Sequence, residues 1–178
     1  MKKCILASFL LFGFVTIAAQ NVNLNTVTLN VRLNPIQTLV VNNSQKIVNL
    51  DYVTKDDYAN GVSSLNPDHL SIYSTGGFQV KVKAANSALQ NGNKSIQANT
   101  IRIKASAGTD GINGAQYAQN AALSGNEINL VTSTLGGVDK KINIEYKGAG
   151  ANAYLNKYIA GQDPTVYTTE LTYTIIAQ

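Results

Sequence analysis

Tryptophan is absent from the 178 residues, cysteine and histidine occur once each, and proline occurs three times. The one cysteine, Cys4, sits in a leader-like start, so no disulfide framework or thiol chemistry is available downstream of it. One histidine, His69, and no second cysteine exclude the usual nitrogen and sulfur ligand sets of zinc. No Gly-x-Ser-x-Gly nucleophile elbow occurs, so a Ser–His–Asp relay would rest on His69 and Asp68; a structural or merely exposed histidine is the expectation. Charge is scarce, at 13 % of residues, and the cations are scattered. A concentrated basic face, as nucleic-acid binding requires, is therefore not expected. Glu127, Glu145 and Glu170 are available for paired-carboxylate chemistry, but nothing in their spacing selects a pair. Asp110-Gly111-Ile112-Asn113-Gly114 is oxygen-rich like a calcium loop. The position that should close such a loop is Ala121, so a plain turn is expected. No cofactor is expected.

The chain begins with Lys2-Lys3, an apolar run from Ile5 to Ile17, and the small pair Ala18-Ala19 before Gln20-Asn21. That order is the pattern of a secretory signal peptide. The run is too short to span a bilayer core of roughly 30 Å. Residues 1–19 are therefore expected to be a leader and residues 20–178 a single exported domain without a transmembrane anchor. Loss of Lys2 and Lys3 would lower the formal charge of +4 by two.

What the chain has in abundance is alternation. Val27, Leu29, Val31 and Leu33 alternate with Thr28, Asn30, Arg32 and Asn34, which predicts a strand with one apolar face. Ile36–Val41, a strand from Ile47, Phe78–Lys83, Ile101–Lys104, Ile128–Leu130, Lys141–Tyr146 and a long closing strand from Tyr167 to Ile175 follow the same logic. Asn66-Pro67-Asp68 reads as a turn, and Ser74-Thr75-Gly76-Gly77 as the link of a hairpin. Ala84–Asn99 reads as a loop. Thr54 can cap a short helix closed by Gly61, a helical turn is expected in 115–123, and Ala151–Ala160 carries helical spacing. The expectation is an all-β, antiparallel, immunoglobulin-like β-sandwich with one or two short helices. Tyr52, Tyr58, Tyr73, Tyr154 and Tyr158 could stack on sugar rings or pack at the core edge, and their spacing favours packing.

The closing segment, Pro164 to Ile175 with its Tyr-Thr and Thr/apolar alternation, resembles the last strand of exported bacterial fimbrial β-sandwiches of the spore-coat-U-like and chaperone–usher pilin-like kinds. Leu29 to Pro35 is similar in placement to the first strand of those domains. The chain departs from them in lacking a cysteine pair and in carrying Val166 where glycine is usual before the tyrosine. The resemblance implies a non-enzymatic fimbrial or adhesive surface subunit, at the cell surface or in the periplasm, whose partners are copies of itself or related subunits. The alternative is a carbohydrate- or cell-wall-binding module with a surface glycan as ligand.

The alternation slips by one residue between Leu24 and Val27. Such a slip marks a bulge or a segment that pairs with a different partner. Val22, Leu24, Val27, Leu29, Val31 and Leu33 are accordingly the expected subunit-interaction residues, entering a neighbour by strand addition.

Overall fold

The computed structural model describes residues 24–178 and divides the chain into two units, Met1–Leu33 and Asn34–Gln178. The expected leader and Val22 lie outside the described residues. In the first unit, residues 24–33 form no strand, and Leu24, Val27, Leu29, Val31 and Leu33 are each between 79 and 92 % exposed. The expected first strand is thus corrected. Alternation makes a segment fit for a sheet, but a strand exists only when a neighbour supplies the ladder.

The second unit is all-β and antiparallel, with one short helix. Its elements are β1 (Gln37–Val41), α1 (Lys55–Asn60), β2 (Ser63–Ser74), β3 (Phe78–Ala84), β4 (Ala88–Asn91), β5 (Lys94–Gln97), β6 (Arg102–Ala107), β7 (Gln116–Tyr117), β8 (Ala121–Ala122), β9 (Ile128–Ser133), β10 (Gly137–Lys147) and β11 (Leu171–Ala177). Sheet one runs β1-β2-β10-β6-β8 and sheet two β11-β3-β9-β7, while β4 and β5 form a separate hairpin. Inward residues of both large sheets share one core: Leu70, Ile103, Ile142 and Ile144 from sheet one meet Phe78, Val80, Val82 and Val131 from sheet two. Each such fully buried side chain contributes about 1.5–3 kcal/mol.

The helix is spelled out locally. The Thr54 hydroxyl accepts from Asp57 N at 3.2 Å and the Asp57 carboxylate accepts from Thr54 N at 2.6 Å, which closes a capping box. Gly61, at φ +80°, ends the helix by donating its N–H to Asp57 O at 2.8 Å.

Elsewhere tertiary context overrides local signals. Asn66-Pro67-Asp68 is not a turn. It is a bulge inside β2, where the register against β10 shifts between Ile142 and Ile144 and Asp68 takes φ +49°. Proline is tolerated there because a bulge needs no ladder N–H. Ser74–Gly77 does not link a hairpin, since β2 and β3 belong to different sheets. Residues 84–99 are not a plain loop, because β4 and β5 pair across Gly92 at φ +53°. The helical turn expected in 115–123 is replaced by the short strands β7 and β8, which complete the two sheets. Ala151–Ala160 holds turns, with Ala151, Asn152 and Asn156 at φ +51°, +58° and +62°. Left-handed residues cannot propagate a right-handed helix. The strand expected from Ile47 does not form, and β11 is shorter than expected, with Thr168 touching Gln90 only as an isolated bridge.

Candidate functional site

Sheet one ends in β1 and sheet two in β11, each paired on one side only, to β2 and β3 respectively. These two edges lie beside each other. The chain after β1 adds to this unpaired backbone. Val48, Leu50 and Tyr52 pack against the core while Ile47, Asn49, Asp51 and Val53 face outward, a strand-like alternation. Yet among the described residues the backbone N–H and C=O groups of residues 47–52 make no protein hydrogen bond. Leu39, Val41, Val48, Leu50, Tyr173 and Ile175 are only half-buried, so this region keeps apolar side chains and peptide groups accessible together. Unpaired edges with apolar side chains are templates for an added strand.

A buried polar chain braces β11. The bulge in β2 turns His69 inward next to Leu70, leaving it 2 % exposed. Gln45 Nε2 donates to Pro67 O at 2.9 Å, which aims Gln45 Oε1 at His69 Nδ1, also at 2.9 Å. Nδ1 is therefore the protonated nitrogen, and Nε2 accepts from the Tyr146 hydroxyl at 3.0 Å. Tyr146 in turn is hydrogen-bonded to the Tyr173 hydroxyl. Since His69 and Tyr146 belong to sheet one and Tyr173 to β11, this one-way chain links the two sheets. Burial holds the His69 imidazolium form down, below its ordinary value of 6.5. Burial likewise pushes Tyr146 up to about 12 and raises Tyr173 well above the usual phenol range. The expected relay through His69 and Asp68 does not form. Asp68 instead accepts from Thr109 N at 2.9 Å and from Thr109 Oγ1 at 2.8 Å, and these bonds lower its pKa.

The other sequence candidates stay apart. Asp110 accepts from Lys140 Nζ at 2.7 Å. Glu127 and Glu145 pair with Lys81 and Lys104 at 3.6 and 3.9 Å on different sheets. No three His, Cys, Asp or Glu side chains converge as metal ligands among the described residues, and no described helix is long and apolar enough to cross a membrane. Tyr52, Tyr58 and Tyr154 do come together, edge to face, with ring centroids 5.3 and 5.0 Å apart. Sequence reasoning missed the His69–Tyr146–Tyr173 chain, because the three residues come from separate strands and only the bulge turns His69 inward. Neither a protein-family model nor a curated protein shows a significant match to this chain.

Proposed function

We propose that this protein is an exported structural or adhesive surface subunit, an immunoglobulin-like β-sandwich without enzymatic activity that assembles with further copies by β-strand addition. One observation carries the reading: Val27, Leu29, Val31 and Leu33 form an alternating apolar strip that, together with Leu24 before it, is exposed along its whole described length. A run of large apolar side chains left in water marks an interaction surface. The natural acceptor is the neighbouring copy's edge at β1, β11 and residues 47–52, where peptide groups and half-buried apolar side chains lie open. Backbone hydrogen bonds supply affinity in such a union, and alternate side chains supply register. The leader-like start and the fimbrial look of the closing strand support export and surface use.

Light scattering and electron microscopy of the purified protein test this. Oligomers or filaments are expected from the wild type and monomers from the Leu29→Asp/Val31→Asp variant. A synthetic peptide covering residues 21–34 should block assembly. A wild type that stays monomeric at high concentration overturns the reading.

A further inference from the structure

A second surface lies on the outer face of sheet one. Arg102 and Lys104 alternate outward along β6, between the buried Ile103 and Ala105. Across the ladder Lys104 faces Glu145 of β10, and Arg102 faces Lys147. Lys104 and Glu145 pair at 3.9 Å. Arg102 and Lys147 are like charges set directly opposite each other, and among the described residues neither has a carboxylate partner. Such a pair weakens a sheet unless an anion relieves it.

The two cations line two adjoining concavities. The larger, of about 700 Å³, is walled by the end of α1 (Ala59, Asn60), by Asn99 and Thr100, and by residues 148–151. The smaller, of about 340 Å³, is lined by Lys104, Glu145, Gln119 and Asn120 beside the same Arg102 and Lys147. The larger one is of the size of ordinary ligand sites. Its walls are held firmly. The loop presses on α1 so closely that a Cβ on Gly150 would lie 2.5 Å from Asn60 C and 2.8 Å from Ala59 O. Ala151 N and Asn152 N donate to Ala59 O and Tyr58 O at 2.7 and 2.8 Å, with both residues in the left-handed region. The Tyr52–Tyr58–Tyr154 cluster links the walls, and Tyr154 reaches Thr100 Oγ1 at 2.8 Å. The exposed amides of Asn60, Asn99 and Asn120 make no side-chain hydrogen bond within the protein among the described residues.

We infer that this groove binds an acidic polysaccharide, with Arg102 and Lys147 holding its anionic groups and the asparagine amides its hydroxyls. Guanidinium matches a carboxylate or sulfate in a two-pronged contact, and free amides match neutral sugar hydroxyls. Glu145 lies at the groove's edge, already paired to Lys104, and selects against ligands that place an anion there. The site does not use Leu24–Leu33, so it stands or falls independently of the assembly reading.

The test is titration calorimetry on the full-length mature protein with oligogalacturonate, dextran sulfate and neutral dextran. Binding to one or both polyanions and not to neutral dextran is expected; a preference between them separates carboxylate from sulfate recognition. Arg102→Ala and Lys147→Ala should each weaken binding about tenfold or more, Arg102→Lys should do so less, and Lys83→Ala on β3 of sheet two should change nothing. All three positions are solvent-facing, and an unchanged thermal melt confirms the fold of each variant. No binding of the wild type at about 1 mM polyanion overturns the inference. So does equal binding to neutral dextran, or an equal loss in Lys83→Ala, which would reveal unspecific charge attraction.

Discussion

Residues 24–33 and the closing strand β11 are written in the same code. Val27-Thr28-Leu29-Asn30-Val31 and Leu171-Thr172-Tyr173-Thr174-Ile175 both alternate a large apolar residue with a small polar one. Yet β11 is laddered to β3 from Leu171 to Ala177, with Tyr173 tied to the buried histidine chain, while the first segment stands exposed and unpaired among the described residues. The difference teaches that a period-two pattern specifies fitness for a sheet but not which sheet. β11 follows the isolated bridge of Thr168 to Gln90 in β4 and then ladders to β3 within its own chain. The first segment has no such ladder, and its apolar side chains stay exposed among the described residues.

The largest expected effect breaks the comparison at its root. Leu29→Asp/Val31→Asp should abolish assembly while leaving the unfolding free energy within about 0.5 kcal/mol of the wild type, since exposed sites contribute little. Light scattering together with urea denaturation checks both halves, and a large loss of stability would mean that the segment is part of the folded core. The mirror experiment is Tyr173→Ala in β11. It should cost about 3 kcal/mol, because it removes a packed ring and one of the two hydrogen-bond partners of the Tyr146 hydroxyl, the other being His69. The midpoint in urea reads this directly.

Smaller is the pH dependence that distinguishes the braced strand from the free one. His69 has a depressed pKa in the folded state, so in the window below 6.5 the unfolded chain binds the extra proton. Stability is complete above that window and falls as pH drops through it, with a slope of at most about 1.4 kcal/mol per pH unit. His69→Gln should flatten the slope in the window below 6.5. Asp57 and Asp68, with lowered pKa values, lose their contributions only in the more acidic range below 3.8, so the two regimes separate in a denaturation series. A slope unchanged in His69→Gln would remove the histidine from the account. The smallest effect belongs to the locally encoded helix. Thr54→Ala should cost about 1 kcal/mol, the usual worth of a cap, measured by the shift in melting temperature.

Legibility followed the range of the interactions. The Thr54 cap, the two acidic residues behind it and the Gly61 stop lie within one short stretch and are readable as such. The inward faces of β3, β6 and β10 follow from alternation and are buried as expected. The apolar strip of residues 24–33 was also readable, although its exposure was not, because the same pattern describes a buried strand and an exposed one. The Ser74–Gly77 link looks like a hairpin turn whether the next strand pairs back or crosses to the second sheet. The cationic groove was invisible, since Arg102 and Lys147 become neighbours only through the register of β6 on β10.

The sequence by itself determined the local vocabulary of this protein: which side of β3, β6 and β10 is apolar, where α1 starts and stops, and that disulfides cannot brace the chain downstream of Cys4. Tertiary structure alone decided the partners. It sent β2 and β3 to different sheets, turned His69 inward through a bulge to meet Tyr146 and Tyr173, set Arg102 against Lys147, and left Leu24 to Leu33 without a ladder. The physical reason is that propensity and capping act over a few residues. Ladder hydrogen bonds and buried polar chains instead join residues far apart in sequence, and which of them meet depends on how the whole set of strands shares a single core.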